Sequence, residues 1–215
     1  MSYEWSTYVR ILVLGAAGRT GRLIVERALG HGHDVTAFVR TTPLVLSHER
    51  LTTISGDIRD FSAVESAMAD QDAVAFALSQ GSGDKGVHEA GIANVIHAMA
   101  ASDVRRLAAI SAAGTFARND KALSLAYRAL IKTAMRGIYD DLEGMERRIM
   151  ATGLDWAIVR PVGLTDDPPS GTYRVSLDGT LLKKAARISR ADVASVVVKA
   201  LETDTYLRRT VVIGD

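Results

Sequence analysis

The sequence predicts an α/β protein, a parallel sheet with helices on both faces. Three observations predict it. Short runs of branched apolar residues alternate with stretches of helical periodicity. The first such run ends in a glycine-rich turn that opens a helix. The chain has 215 residues, 47% of them hydrophobic, enough for one domain with a sizeable core. Charged residues make up 24%, with 26 basic against 25 acidic, so the net charge is only +1. This is the balance of an ordinary globular domain rather than a disordered chain. It carries no whole-chain footprint for nucleic acid or a membrane surface.

Residues 1–8 (MSYEWSTY) have neither a basic n-region nor an apolar h-region, so they read as a lead-in rather than a signal peptide. Residues 9–14 (VRILVL) form a buried first strand. A helix follows over 19–30, then a second strand over 34–39 (DVTAFV) that ends at Arg40. The third strand, 51–54, stops at Gly56-Asp57. Asp60 is placed to cap a helix carrying Phe61, Val64 and Met68 on one face. Residues 73–78 (AVAFAL) give a fourth strand, followed by the polar, glycine-rich loop 79–86. A helix then carries Ile92, Val95, Ile96 and Met99 at i, i+3, i+4, i+7. The fifth strand is 104–110, ending at Ser111.

Two helical stretches follow, 121–136 and 139–152, with Gly153 as a C-cap glycine. The sixth strand is 156–159, closed by Arg160-Pro161. Turn residues crowd 166–171, and 172–177 alternates like a half-exposed strand, with Asp178-Gly179 as a hairpin signal. Ser189 to Asp192 fits a capping box before a helix over 193–201, and 210–213 is the last strand. Strands separated by helices imply βαβ units. In such sheets ligands sit beyond the carboxyl ends of the strands. That rule selects the segments after each strand.

The strongest motif is Gly15-Ala16-Ala17-Gly18-Arg19-Thr20-Gly21, between a strand and a helix. Gly15 permits the tight turn, Gly18 lets backbone approach a pyrophosphate, and Gly21 lets the helix pack on the strand. The helix N-terminus offers unpaired N–H groups and partial positive charge to phosphate. The expected architecture is therefore a Rossmann-type doubly wound sheet spanning 1–215 as a single dinucleotide-binding domain, with 162–188 covering the substrate.

The G-x-x-G-x-x-G spacing resembles the atypical, NAD(P)H-binding (NmrA-like) branch of the short-chain dehydrogenase/reductase superfamily. Gly56-Asp57-Ile58, residues 152–161 (TGLDWAIVRP) and residues 189–194 (SRADVA) resemble the same branch. Residues 171–179 (GTYRVSLDG) resemble the NADPH-dependent flavin reductase/biliverdin reductase B group. The resemblance implies that Ala17 and Thr20 join the glycines around the pyrophosphate and that Asp57 and Ile58 contact adenine. It places Leu78, Ser79 and Gln80 along the cofactor's centre, Ser111 and Ala112 beside the nicotinamide, and Pro161 and Val162 on its far wall. The second strand ends in Arg40 where an NAD-selective site carries an acid, so NADP(H) is expected over NAD(H), with Arg19 beside the same 2′-phosphate.

The superfamily's usual Tyr-x-x-x-Lys pair is missing. Tyr127 has Ile131 at the fourth following position and Tyr139 has Glu143. A one-residue slip on a helix turns a side chain about 100° away. Ser111 remains as a catalytic candidate, to hydrogen-bond a carbonyl. Hydride transfer to a flavin, quinone or similar flat acceptor needs mainly stacked geometry, so a reductase of such an acceptor is the leading expectation. A non-catalytic redox sensor of NmrA-like type, or a nucleotide-sugar epimerase or dehydratase, are the alternatives. Where the biliverdin reductase B group carries a histidine this chain has Gly163, which departs from a tetrapyrrole preference.

No cysteine is present, which removes disulfides, thiolate metal sites and cysteine nucleophiles. His31 and His33 read as turn residues, His88 as a solvated helix start, and no metal site is expected. Arg128, Lys132 and Arg136 read as a solvated basic face. The expected partner is a small-molecule acceptor, with no nucleic acid or membrane, for a cytoplasmic monomer or weak homodimer.

Overall fold

A computed structural model describes residues 8–79, 84–117, 120 and 124–215. Residues 1–7 of the lead-in expected over 1–8, Gln80 and the start of the helix expected at 121 lie outside the described residues. The elements run β1 (Arg10–Leu14), α1 (Arg19–Gly30), β2 (Asp34–Val39), β3 (Leu51–Ser55), α2 (Phe61–Met68), β4 (Ala73–Phe76), α3 (Val87–Ala101), β5 (Arg106–Ile110), α4 (Leu125–Lys132), α5 (Arg136–Met150) and β6 (Asp155–Pro161). Then come β7 (Gly163–Thr165), β8 (Arg174–Ser176), β9 (Arg187–Ser189), α6 (Arg190–Glu202), a 3₁₀ turn (Asp204–Tyr206) and β10 (Arg209–Gly214).

The main sheet has the order β3-β2-β1-β4-β5-β6-β10-β8. Every pairing in it is parallel except β8 with β10. This is the doubly wound Rossmann-type sheet that the alternating pattern predicted. The strand order switches direction between β1 and β4, the switch point where the glycine turn emerges.

Strand side chains alternate between two cores because the pleat has period two. Ile11 and Val13 face one core with Ile24 and Val25 of α1 and Val193 and Val197 of α6. Leu12 and Leu14 face the other with Val64, Val95, Met99, Met145 and Ile149 from α2, α3 and α5. Each such side chain, fully buried, contributes roughly 1.5–3 kcal/mol. Asp60 caps α2 by accepting the Ser62 N–H at 3.0 Å, as its position predicted.

Several local expectations change. The helix called over 121–136 breaks at Thr133, and the next begins at Arg136 rather than Tyr139. Gly153 keeps a negative φ, so α5 ends without a left-handed glycine. The signal at Asp178-Gly179 makes no hairpin. β8 pairs antiparallel with β10, far along the chain, and the segment after it returns as β9 to pair with β7. A parallel sheet edge needing a partner decides this, and local turn chemistry does not encode it. In the basic cluster Lys132 and Arg136 are exposed, but Arg128 is half-buried with its Nε enclosed.

His31 and His33 meet Glu202, whose Oε1 lies 2.6 Å from His31 Nδ1 and 2.7 Å from His33 Nε2. His33 Nδ1 accepts the Val9 N–H at 3.4 Å, which leaves the ring hydrogen on Nε2 to donate to the carboxylate. The cluster ties the end of α1 to α6, and its three ligand atoms lie within 4.8 Å of one another, close enough to hold a metal ion, where the sequence led us to expect none.

The capping box at α6 is only half formed. Ser189 Oγ accepts the Asp192 N–H at 3.0 Å, but the buried Asp192 carboxylate turns toward the 166–171 segment. It accepts from Ser170 N and Oγ and from Gly171 N, each at 3.0 Å, and from Ser189 Oγ at 2.8 Å. Asp192 therefore anchors the 166–171 turn. Burial pushes its carboxyl up, but these donors outweigh burial and hold it below its usual value. Its contribution to stability is present above the ordinary carboxylate range and lost as pH falls through the lowered folded value. Asp192→Asn is expected to reduce the unfolding temperature at pH 7, with the gap to wild type shrinking as pH falls below the ordinary carboxylate value of about 4. Calorimetry across that range tests this, and a pH-independent gap would refute it.

Candidate dinucleotide and acceptor site

The glycine turn is built by close backbone contacts. Gly15 has φ +82°, and a Cβ there would lie 2.6 Å from the Ala77 carbonyl oxygen. Gly18 N–H donates to Gly15 O at 2.9 Å. A Cβ on Gly21 would lie 2.1 Å from Gly15 O, so only glycine lets α1 start against the turn. Gly18 is the N-cap of α1, no side chain caps it, and no acid stands in the first turn. The first-turn N–H groups and the positive end of the helix are thus left for an anion, the environment a pyrophosphate requires.

Three cavities line up along the carboxyl ends of the strands. The first, about 210 Å³, is lined by Gly15, Ala17, Gly18, Arg40, Gly56, Ile58, Leu78, Ser79 and Asp84, among others. The second, about 350 Å³, is lined by Gly18, Arg19, Thr20, Leu78, Ser79, His88, Ser111, Ile138, Leu142, Leu164 and Arg190, among others. The third, about 540 Å³, is walled by Ala112, Gly114, Pro161, Val162, Leu181 and Leu182, with Tyr127, Tyr139 and Lys184. Gly18, Leu78 and Ser79 border both the first and the second. Sequence neighbours Ser111–Ala112 and Ile138–Tyr139 divide between the second and the third. The 162–188 segment contributes walls to both of these.

Most expected site residues therefore converge, but some side chains do other work. Asp57 is not among the residues lining the first cavity; its Oδ1 accepts the Arg59 N–H at 2.9 Å and shapes the turn. Arg19 is not beside Arg40. It lines the second cavity and pairs with Asp166, which Arg190 also holds at 2.8 Å. Arg40 does reach the first cavity, where Asp84 grips it through two hydrogen bonds of 2.9 and 3.0 Å.

Ser111 is buried in the second cavity's wall, yet it points its hydroxyl inward, donating to Glu146 Oε1 at 2.5 Å. Glu146, fully buried, is also gripped by Arg160 through Nε at 3.0 Å and through Nη2. With its one hydrogen committed, Ser111 is poorly placed to donate to a substrate carbonyl.

Three features were not foreseen. His88 is buried rather than solvated, with Nδ1 2.8 Å from Asp141 Oδ2. Asp141 also accepts the N–H groups of His88 and Glu89, at 3.1 and 2.8 Å, and so caps α3 from α5. Glu146 falls on the buried face of α5 with Leu142, Met145 and Ile149, and an acid at that periodicity was the available signal. Tyr139 and Tyr127 share a hydrogen bond of 2.9 Å. Burial and then that bond push the Tyr139 hydroxyl well above the phenol range, so it stays protonated at neutral pH.

The family model described as NAD(P)H-binding matches residues 15–204. The chain belongs to this NAD(P)H-binding family. An uncharacterised protein of Mycobacterium tuberculosis is 40% identical over 100 residues, which take in 46% of this chain but only 12% of that protein's length. Among solved structures, a short-chain dehydrogenase/reductase of Veillonella parvula in complex with NADP superposes with a TM-score of 0.79 at 21% identity, over 97% of this chain and 94% of that one. A candidate NADH-flavin reductase of Streptococcus pneumoniae gives 0.79 at 20% identity, over 96% and 99%. At these identities the likeness establishes the fold. Among the described residues of this family member, no helix is long and apolar enough to cross a membrane.

Proposed function

We propose that this family member is an NADPH-dependent oxidoreductase that delivers hydride to a flat conjugated small molecule such as a flavin or quinone. The observation that carries the reading is the apolar third cavity beside the Ser111 end of the dinucleotide groove. Its walls are Pro161, Val162, Leu181 and Leu182, which suit a flat apolar ring, and Lys184 at its rim suits an anionic substituent. Ile138 and Leu142, four residues apart, are the α5 side chains lining the second cavity, where a Tyr–Lys pair would be needed for alcohol chemistry. The similarity to the candidate NADH-flavin reductase supports the same class of acceptor.

NADPH is favoured by Arg40 at the end of β2. Its guanidinium already holds one anion, the Asp84 carboxylate, in two-pronged geometry, and a 2′-phosphate would take that place. Arg40→Ala is expected to weaken NADPH binding about three- to tenfold and leave NADH binding unchanged. Fluorescence titration of both dinucleotides tests the preference, and an equal loss for both would remove Arg40 as the selector. Adding FMN or menadione to the NADPH complex tests the reaction. Rapid loss of NADPH signal supports a reductase, whereas tight binding without consumption supports a redox sensor.

A further inference from the structure

We propose that His31, His33 and Glu202 form a binding site for a divalent transition-metal ion such as zinc, which clamps the end of α1 to the end of α6. None of the three lines the cavities described above, so the site stands apart from the reductase reading.

Long-range packing brings the three groups together. Glu202 is the last residue of α6, and Val197, Val198 and Leu201 of that helix share a core with Ile24, Ala28 and Leu29 of α1. The two histidines flank Gly32, whose φ of +86° turns the chain out of α1. Backbone bonds lock this turn: the His31 N–H donates to Arg27 O at 3.1 Å, the Gly32 N–H to Leu29 O at 2.9 Å and the His33 N–H to Ala28 O at 3.1 Å. Arg50 Nη1 donates to Gly32 O at 2.7 Å and steadies it from outside. Both imidazoles are thus presented to one carboxylate, with one ligand atom from each residue and all three within 4.8 Å. Among the described residues this is the one such gathering of histidine and acidic side chains.

Two imidazoles and a carboxylate suit zinc, cobalt or nickel, whereas calcium and magnesium call for oxygen ligands. With metal–ligand bonds of about 2.0–2.1 Å, tetrahedral ligand atoms stand roughly 3.3 Å apart. The spacings of 2.6 and 2.7 Å to Glu202 Oε1 therefore have to open by roughly 0.7 Å. His31 and Glu202 have that freedom, with side chains 38% and 24% exposed, while His33 at 3% is the fixed point. His31 lies at the surface, so water can take the fourth position. Each neutral ring keeps its hydrogen, which moves to the nitrogen away from the ion, Nε2 on His31 and Nδ1 on His33. The Val9 N–H now points at His33 Nδ1 from 3.4 Å and must then turn away, but a bond of that length is weak. The nearby Arg50 side chain is 43% exposed, so solvent screens its charge from the ion.

The experiment uses the full chain without an affinity tag, stripped with EDTA, then titrated with Zn²⁺ by calorimetry and with Co²⁺ by visible absorption. One equivalent of Zn²⁺ is expected to bind with a Kd on the order of 1 μM. Zn²⁺ at roughly 100-fold above that Kd should raise the unfolding temperature by roughly 5–10 °C. Co²⁺ should show the intense visible bands of a four-coordinate ion, and Zn²⁺ should shift the Val9 amide signal in the ¹⁵N–¹H spectrum. His31→Ala, a change at the surface, should weaken Zn²⁺ binding by at least the roughly 10–100-fold that loss of an outer-shell partner costs, and should abolish the Val9 shift. Glu202→Gln should do the same. His48→Ala removes an exposed histidine outside the cluster and should leave both unchanged. No binding of Zn²⁺ below about 0.1 mM overturns the proposal. Binding that survives both His31→Ala and Glu202→Gln, or that falls equally in His48→Ala, also overturns it. Binding with neither a rise in unfolding temperature nor a Val9 shift puts the ion elsewhere on the surface and overturns the clamp.

Discussion

Gly21→Ala is expected to cost this protein its dinucleotide binding. The added Cβ would sit 2.1 Å from Gly15 O and 2.8 Å from Gly15 C, both backbone atoms that cannot swing aside. Either α1 retreats from the turn or the turn opens, and both movements spoil the aim of the first-turn N–H groups. Overpacking of this kind destabilises by about 1–3 kcal/mol. Losing two hydrogen bonds to a charged phosphate adds about 3–6 kcal/mol on the binding side, two or more decades in affinity. NADPH fluorescence titration measures the loss and thermal unfolding measures the fold. Gly30→Ala is the control, because a Cβ there meets nothing within 4 Å. Binding by Gly21→Ala within threefold of wild type would refute this account of the turn.

Glu146→Ala is expected to destabilise the protein by about 3–5 kcal/mol, because it strands the buried Arg160 guanidinium without its partner. Glu146 is fully buried and Arg160 is 7% exposed. Two arginine nitrogens and the Ser111 hydroxyl all converge on the one carboxylate. Phe116 lies 5.4 Å from the guanidinium carbon and gives it only a weak second contact. The double variant Glu146→Met/Arg160→Met removes both charges together. It should cost much less than the sum of the two single changes, since no buried charge is left unpaired. Urea unfolding of the three variants and wild type closes the cycle, and simple additivity would show that the pair does not act as a unit. Glu146→Ala leaves Ser111 with the Thr115 hydroxyl, 3.1 Å away, as a partner.

Much of the dinucleotide half was legible because its determinants are local. Gly15, Gly18 and Gly21 are spaced by the geometry of one strand-to-helix turn, and Arg40 is fixed by following β2 to its end. Period-two and 3.6-residue patterns likewise gave the order of strands and helices, since each element's burial is written in its own side chains. The resemblance put Asp57 at the adenine, and the charge argument put Arg19 beside the phosphate at Arg40. Their positions in the chain are right, but competing partners, the Arg59 N–H and Asp166, claim their side chains.

What the sequence determined by itself is the sheet, its switch point and the glycine cradle, because these follow from short-range periodicity and backbone sterics. What only the tertiary structure decided are the pairings that join distant segments. His88 meets Asp141 across 53 positions, Ser111 meets Glu146 across 35, and Asp192 reaches back 22 to Ser170. β8 finds its partner in β10 for the same reason. A buried polar group takes whichever complementary group the packing delivers, because leaving it unpaired costs more than almost any local preference can offset.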